Sequence, residues 1–281
     1  MIKLKELKGK IGLVTGGSSG IGLAAACLLA QKGAHVWLLA RHREKLAEVL
    51  KRVKSAVQDS GQVCGMLETD VTNEKQVKQA VTKIIHSIGL PDLVINAAGV
   101  AHPGYVQDTD LKIFHWMMDV NYFGTVNVVK ALLPGMIERG SGYIVNISSM
   151  AGFLGVFGYT AYSASKYAVR GFSDVLRAEM KPHGIGVSLV FPPDTDTPQL
   201  AYENQFKPAE TRVLTESGGL MSAESVAKSI LTGIERGKYL ILPGIENKLV
   251  YRLSGIFSDA VYPVMDWLIT QAQKKGNSAK Q

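Results

Sequence analysis

The sequence predicts an α/β protein in which a doubly wound parallel sheet is covered by helices on both faces. Apolar segments of strand length alternate along the chain with longer segments of helical periodicity, which is typical of a parallel sheet buried on both sides. Glycine follows most of the helical segments, where a helix usually ends. Apolar residues make up 46% of the 281 residues and charged residues 20%, the balance of a globular protein.

This alternation predicts seven strands separated by helices. The expected strands are Ile11–Thr15, His35–Ala40, Val63–Thr69, Asp92–Asn96, Gly142–Ser148, Gly186–Phe191 and Tyr239–Leu242. The expected helices are Gly20–Lys32, Glu44–Asp59, Glu74–Gly89, Leu111–Arg139, Tyr159–Lys181 and Ser222–Gly237. No internal repeat or linker interrupts this order before the polar tail after Gln273, so residues 1–281 are expected to form a single domain.

Two segments depart from the alternation. Residues 193–221 begin with prolines and continue with mixed polar residues, so a long loop or lid is expected there. Residues 248–272 carry apolar side chains at roughly helical spacing, with Pro263 as the expected position of a kink. This amphipathic segment could pack on its own domain, form a dimer contact or rest on a membrane, and the sequence leaves the three possibilities open.

Charge and cysteine content exclude several classes of protein. The net charge is +7, but Lys and Arg are spread along the chain without a dense basic run, so no nucleic-acid partner is expected. The two cysteines, Cys27 and Cys64, predict neither a disulfide framework nor a metal site. No stretch approaches the roughly 18 uninterrupted apolar residues of a membrane span. A cytoplasmic protein is therefore expected, with peripheral contact at a membrane surface left open.

A glycine-rich turn, T-G-G-S-S-G-I-G from Thr15 to Gly22, joins the first predicted strand to the first predicted helix. Such a turn forms a pyrophosphate site because glycine lets the backbone come close, while free N–H groups and the helix dipole face the anion. A plain strand-to-helix connection is the alternative, and the position at the start of a repeating β/α pattern argues against it. The residues expected to hold the pyrophosphate are Gly16, Ser18, Ser19, Gly20, Ile21 and Gly22.

The end of the second predicted strand indicates the form of the dinucleotide. A site for NAD is expected to have an acidic residue there for the ribose 2′-hydroxyl, whereas this chain has Arg41, Arg43 and Lys45. A guanidinium suits a 2′-phosphate because it can bind two of its oxygens at once. We therefore expect NADPH, bound by Arg41 and Lys45; the alternative is incidental charge at the start of a surface helix.

Two further strand ends are candidates for cofactor contacts. Asp70 follows the third predicted strand, where it could accept a hydrogen bond from the adenine amino group or cap the next helix. The segment N-A-A-G, Asn96 to Gly99, follows the fourth, and its small residues would let a flat cofactor lie against the backbone.

Tyr162 and Lys166 lie one helical turn apart in the segment Y-S-A-S-K and are the candidate reacting groups. The fifth predicted strand ends near Ser149, and the chemistry of parallel sheets gathers at the carboxyl ends of strands. Ser149 could donate a hydrogen bond to a carbonyl oxygen while Tyr162 supplies its proton. A lysine cation one turn away would favour the phenolate and lower the tyrosine pKa from its usual value of about 10. Asn121 could hold a water that relays protons to Lys166, or could be an ordinary solvated or backbone-bonded residue, and its spacing decides neither.

Taken in order, T-G-G-S-S-G-I-G, N-A-A-G, Asn121, Ser149 and Y-S-A-S-K closely resemble the short-chain dehydrogenase/reductase family, from about Lys10 to Leu242. The resemblance implies a seven-stranded Rossmann sheet and relatives that commonly form homodimers or homotetramers. It also implies a catalytic tetrad of Asn121, Ser149, Tyr162 and Lys166, with Tyr162 as the proton donor in reduction. Ser149 matches the family spacing better than its neighbour Ser148. The further cofactor contacts that it implies are Asp70, Val71, Asn96, Ala97, Gly99, Tyr162, Lys166, Pro192, Thr195 and Thr197. The chain departs from many NADPH-using members at Ser19, where they carry a basic residue.

Residues 157–212 resemble one group within that family, the 3-ketodihydrosphingosine (3-dehydrosphinganine) reductases, through F-G-Y-T-A-Y-S-A-S-K, P-P-D-T-D-T-P and E-N-Q-F-K-P-A-E-T-R. The resemblance implies a long-chain amino ketone as substrate, 3-ketosphinganine, reduced to sphinganine with NADPH. Asp194 or Asp196 could face its ammonium group, unless both only serve the turn beside the prolines. A steroid ketone or a 3-oxoacyl thioester is the alternative substrate, and a non-catalytic NADPH-binding protein is the alternative class.

Overall fold

The computed structural model describes residues 2–216 and 219–278. The strands are β1 (Ile11–Thr15), β2 (His35–Ala40), β3 (Cys64–Glu68), β4 (Leu93–Asn96), β5 (Gly142–Ile147), β6 (Ile185–Val190), β7 (Thr195–Asp196), β8 (Met221–Ser222) and β9 (Leu240–Ile241). The helices are α1 (Gly20–Gln31), α2 (Arg43–Ser55), α3 (Glu74–Ile88), α4 (Leu111–Met117), α5 (Gly124–Arg139), α6 (Thr160–Met180), α7 (Pro198–Glu203), α8 (Ala209–Glu216), α9 (Ala223–Glu235), α10 (Ile245–Phe257) and α11 (Val261–Ser278).

Seven strands form one parallel sheet in the order β3-β2-β1-β4-β5-β6-β9, and β7 and β8 form a separate short pair. The chain runs outward from β1 to β3 and then returns to β4 on the other side of β1, so the strand order reverses between β1 and β4. Sheets of this kind bind ligands in the crevice outside the carboxyl ends of the strands at the reversal. The predicted doubly wound, seven-stranded sheet is confirmed.

Apolar residues on both faces of the sheet explain why its central strands are buried. Neighbouring residues of a strand point to opposite faces, so Leu13 packs with residues of α3, α5 and α6, whereas Val14 packs with residues of α1, α2 and α9. All of β1 is buried. Helices therefore cover both faces, and polar chemistry is left to the carboxyl edge of the sheet.

The predicted helix Leu111–Arg139 is interrupted by a π-helical turn, Met118–Phe123, between α4 and α5. A π turn accommodates one extra residue in a helix and is frequent at functional sites. Asn121 lies in this turn, and its side-chain amide bonds to both backbone groups of Val100, at 2.8 and 2.9 Å. The irregular turn thus presents Asn121 to the loop that follows β4.

Residues 193–221, expected as a long loop or lid, contain two helices in their described part, α7 and α8, together with the strand β7 and the first residue of β8. The side chain of Thr197 accepts a hydrogen bond from the backbone N–H of Leu200, and Pro198 occupies the first turn of α7. Proline is favourable there because the first N–H groups of a helix have no intrahelical partner. Thr197-Pro198 therefore begins a helix, although proline in this segment is also typical of a loop.

The C-terminal segment forms α10 and α11, which are separated by a short 3₁₀ turn, Ser258–Ala260. The expected kink at Pro263 is thus displaced: the break precedes the proline, which lies in the first turn of α11. The two helices leave a row of large apolar side chains exposed, and we call it the C-terminal apolar face. Its members are Ile245, Leu249, Leu253, Ile256, Phe257, Tyr262, Val264, Trp267 and Leu268. Within the described part of the chain, no helix combines the length and the apolar character needed to cross a bilayer.

Candidate active site

A cavity of about 1130 Å³ opens at the carboxyl edge of the sheet. It extends from the turn after β1, past the ends of β2 to β6, to the inner side of α7, α10 and α11. The residues that the sequence assigned to the cofactor and that line it are Gly16, Ser18, Ser19, Gly20, Ile21, Gly22, Arg41, Lys45, Asp70, Val71, Ala97, Gly99, Tyr162, Lys166, Pro192, Thr195 and Thr197. Asn96 is the one residue of that set outside the lining.

The glycine turn is shaped for a ligand that approaches the backbone closely. Gly16 has φ +64°, and a Cβ there would lie 2.6 Å from the carbonyl oxygen of Ala97. A Cβ on Gly22 would lie 2.5 Å from the carbonyl oxygen of Gly16. Ser19 precedes α1 without capping it through its side chain, so the first N–H groups of the helix remain available to an anion. These features fit the pyrophosphate of a dinucleotide.

Basic residues border the cavity where β2 ends. Arg41 and Lys45 line it, whereas Arg43 does not. Arg41 is exposed, and no carboxylate of the described residues forms an ion pair with it. A guanidinium without a protein partner at this place fits a phosphate on the adenosine ribose.

The polar residues at the ends of β3 and β4 differ in whether they line the cavity. Asp70 lines the cavity, and its carboxylate accepts two hydrogen bonds from Thr72, each of 2.9 Å. The alternative role considered for Asp70, capping α3, belongs to Asn73, which accepts from the backbone N–H of Gln76. Asn96 is buried and donates to the side chain of Asn146 at 2.9 Å, so it joins neighbouring strands inside the sheet.

Tyr162 and Lys166 are both buried on α6 and both line the cavity. The ammonium of Lys166 lies 5.6 Å from the centre of the Tyr162 ring and donates to the carbonyl oxygen of Ile147 at 3.0 Å. The hydroxyl of Ser148 already donates to the carbonyl oxygen of Lys166. Ser149 accepts a hydrogen bond from Ala151, and hydrogen bonding with Ser149 also lowers the pKa of Tyr162, so this hydroxyl lies beside the phenol. The geometry favours Ser149 over Ser148 as the group that binds a carbonyl oxygen.

The electrostatics of the pair differ from the sequence expectation that the lysine lowers the tyrosine pKa. Burial raises the pKa of Tyr162, the charge of Glu203 raises it further, and hydrogen bonding with Ser149 and Gln199 acts in the opposite direction. Burial lowers the pKa of Lys166 to about 8, against the raising effect of Glu203. Tyr162 is therefore protonated at neutral pH, which suits a proton donor.

Asn121 is almost fully buried and lies behind the cavity wall. Besides its bonds to Val100, it donates to the hydroxyl of Ser165 at 2.8 Å. A Cβ added to Gly99 would lie 3.3 Å from its Oδ1 and 3.4 Å from Nζ of Lys166, so the two side chains flank the same glycine. Asn121 thus holds the loop after β4 beside Lys166, and its amide is occupied by protein groups.

Three residues that the sequence analysis did not assign complete the polar part of the cavity. Glu203 is buried on α7, where it accepts hydrogen bonds from the hydroxyl of Tyr159 at 2.6 Å and from the amide of Gln199 at 2.8 Å. All three line the cavity. Their roles depend on the contact between α7 and Tyr159, the residue before α6, which local sequence patterns do not reveal.

Comparisons with known proteins give a family match and named relatives. The profile of the family described as short chain dehydrogenase matches residues 10–208. The chain is 39% identical to 3-ketodihydrosphingosine reductase of Bos taurus over 228 residues, which cover 81% of this chain and 69% of that protein. It is 38% identical to 3-ketodihydrosphingosine reductase of Dictyostelium discoideum, over 94% of this chain and 83% of that protein.

Solved structures show the same fold. A short chain dehydrogenase/reductase from Burkholderia phymatum, solved in complex with NAD, is similar with a TM-score of 0.79 and 26% identity, over 90% of this chain and 95% of that one. The family match, the parallel sheet and the cavity at the carboxyl ends of its strands all lead to one conclusion. The chain belongs to the short-chain dehydrogenase family, whose members are oxidoreductases that bind a nicotinamide cofactor.

Proposed function

We propose that the protein uses NADPH to reduce the ketone of 3-ketosphinganine, a long-chain amino ketone, to the alcohol sphinganine in sphingolipid synthesis. The observation that carries this proposal is a single cavity that joins Ser149, Tyr162 and Lys166 to an apolar region bordered by α10 and α11. The names of the two curated relatives support the same substrate.

The cofactor would be held by the glycine turn and by the basic residues after β2. The backbone from Gly16 to Gly22 would bind the pyrophosphate, and Arg41 with Lys45 would bind the 2′-phosphate that distinguishes NADPH from NADH. Bound NADPH would supply the hydride.

The chain itself would provide the proton and stabilise the charge. As the carbonyl oxygen gains negative charge, the phenol of Tyr162 donates its proton to it and the hydroxyl of Ser149 donates a hydrogen bond. The Lys166 ammonium, held by the carbonyl of Ile147, would stabilise the resulting phenolate. Asn121 would keep the loop after β4 in place beside this lysine.

The alkyl chain of the substrate would lie in the apolar part of the cavity, where Val250, Leu253, Val264, Met265 and Leu268 form the wall. The same two helices carry the C-terminal apolar face, and its members that do not line the cavity are Leu249, Ile256, Phe257, Tyr262 and Trp267. We infer that this face rests on a lipid surface, since it adjoins the wall of a cavity suited to a substrate that dissolves in membranes. The protein would then be cytoplasmic with a peripheral membrane contact. A homodimer or homotetramer stays a prediction.

The proposed function is tested by offering the purified protein three ketones, each with NADPH and with NADH. The ketones are 3-ketosphinganine, a steroid ketone and an acetoacetyl thioester. We expect oxidation of NADPH with the first only, reduced by about 100-fold or more in Tyr162→Phe because the proton donor is lost. Thermal unfolding and retained NADPH binding establish that the variant is folded. Comparable turnover of all three ketones would contradict the substrate assignment.

A further inference from the structure

Glu203 is a buried carboxylate that faces the cavity and that the proposed reduction does not use. Its side chain lies at the end of α7, with only 7% of the residue exposed. Carboxylates are rarely buried to this extent unless they are paired, because removal from water disfavours the charged form.

The partners of Glu203 are neutral. Tyr159 donates to one carboxylate oxygen and Gln199 donates to the other, and no Lys or Arg of the described residues forms an ion pair with it. Asp194, which also lines the cavity, differs because the buried ammonium of Lys207 lies 3.4 Å from its carboxylate. Burial raises the pKa of Glu203, and the charge of Lys207 acts in the opposite direction without forming an ion pair with it. Each carboxylate oxygen retains a lone pair for a further donor, and an ammonium placed there would favour the charged form.

Glu203 is also close to the reacting group. The rings of Tyr159, which binds its carboxylate, and Tyr162 have centres 5.7 Å apart. Gln199, its other partner, also lowers the pKa of Tyr162 through hydrogen bonding, so it lies beside that phenol. The charge of Glu203 acts on both catalytic groups, because it raises the pKa of Tyr162 and the pKa of Lys166. A carboxylate in this position makes release of the tyrosine proton harder unless a cation accompanies it.

An α-amino ketone brings such a cation, because its ammonium is attached to the carbon next to the carbonyl. We propose that Glu203 binds the ammonium group of the substrate while Tyr162 and Ser149 bind its carbonyl oxygen. The proposal rests on the proposed function and deepens it: Glu203 selects amino ketones over other lipophilic ketones.

The assignment replaces the two aspartates that the sequence offered for this role. Asp194 is engaged by Lys207. Asp196 is exposed and does not line the cavity. Glu203 is the carboxylate of the described lining that combines burial, neutral partners and proximity to Tyr162.

The experiment compares two substrates, 3-ketosphinganine and the same long-chain ketone without its amino group, in the wild type and in Glu203→Gln. The substitution keeps the size and an acceptor for Tyr159 but removes the charge. We expect the ratio of kcat/KM for the amino ketone to that for the other ketone to fall roughly 30-fold or more, as for other buried charge pairs that lose one partner. Most of the loss should be in KM, because the ammonium is bound both before and during the reaction.

Two control variants separate charge from structure. Asp196→Asn removes an exposed carboxylate outside the cavity and should leave the ratio unchanged. Tyr159→Phe removes a hydrogen bond to Glu203 but leaves its charge, so it should affect both ketones alike. Thermal unfolding and NADPH affinity establish that Glu203→Gln is folded.

The outcomes distinguish the two proposals. If Glu203→Gln lowers kcat/KM equally for both ketones, or changes neither, the carboxylate only supports α7 and the ammonium assignment is wrong while the proposed function stands. If the wild type does not reduce the amino ketone, both proposals are overturned together.

Discussion

Replacement of Arg41 by alanine should change cofactor preference without disturbing the rest of the site. Arg41 directly follows β2 and is exposed at the border of the cavity, with Lys45 as its basic neighbour there. No described carboxylate pairs with it, so its removal leaves no buried charge unpaired. Arg43 lies two residues further on, outside the cavity lining, and provides a matched control of equal charge.

The magnitude follows from the kind of contact that is lost. A hydrogen bond to a charged group contributes about 1.5–3 kcal/mol, which corresponds to a factor of roughly 10 to 150 in Kd. Because Arg41 is exposed, solvent and salt screen the interaction, and the lower end of that range applies. We therefore expect the Kd for NADPH to rise about tenfold in Arg41→Ala. The Kd for NADH, which lacks the 2′-phosphate, should hardly change.

The assay is a calorimetric titration of each cofactor into the wild type, Arg41→Ala and Arg43→Ala at one fixed ionic strength. Arg43→Ala should bind NADPH nearly as the wild type does. Equal weakening of both cofactors in Arg41→Ala would refute a specific phosphate contact. Equal weakening of NADPH by both variants would mean that the general positive field of this region attracts the cofactor.

Three further predictions concern other parts of the molecule. Burial lowers the pKa of Lys166 to about 8, so its ammonium is lost as the pH rises through that value. The kcat/KM for ketone reduction should therefore fall above this pH. A pH–rate profile that stays flat well beyond it would contradict the role of the charge. Gly184 has φ +70° and a Cβ there would lie 2.3 Å from a backbone carbonyl oxygen, so Gly184→Ala should lower the free energy of unfolding by about 1–3 kcal/mol. Gly171 lies on α6, where an added Cβ would meet no atom, so Gly171→Ala should raise the free energy of unfolding by up to about 1 kcal/mol. Denaturant unfolding measures both variants, and equal changes in the two would contradict the role of backbone strain at Gly184. Trp267→Glu on the C-terminal apolar face should weaken binding to phospholipid vesicles about tenfold, which is equivalent to about 1.4 kcal/mol. Val175→Glu, at an equally exposed apolar position on α6, should leave vesicle binding unchanged. Unchanged sedimentation of Trp267→Glu with vesicles would argue against a lipid contact.

The strands could be predicted from the sequence because their burial dictates their composition. Residues of β1 pack against helices on both faces and must all be apolar or small, so Ile11–Thr15 was predicted with the bounds that the structure has. The last strand, β9, is only two residues long, so the prediction of Tyr239–Leu242 extended too far at both ends. An edge strand gains less stabilisation from a continuous apolar run, so the apolar pattern predicts the ends of such a strand less well.

The candidate site was predictable where it depends on strand ends and failed where it depends on helices folding over them. The glycine turn, Arg41 and Tyr162 follow from local rules, and they all line one cavity. Glu203 could not be found because its burial results from a contact between α7 and Tyr159, 44 positions apart in sequence. Asn96 was misleading for the opposite reason: it ends a strand, yet its side chain points to Asn146 inside the sheet.

The π-helical turn Met118–Phe123 limits which changes of chain length this region can tolerate. The turn holds one residue more than the α-helical turn it replaces, so a single deletion here would convert it to α-helix and shift the residues of the turn from their present positions. The amide of Asn121 would then swing away from Val100 and Ser165, and the loop beside Lys166 would lose its anchor. A shortened variant with a more regular helix should therefore be a worse enzyme, whereas substitutions elsewhere along α5 leave the turn intact.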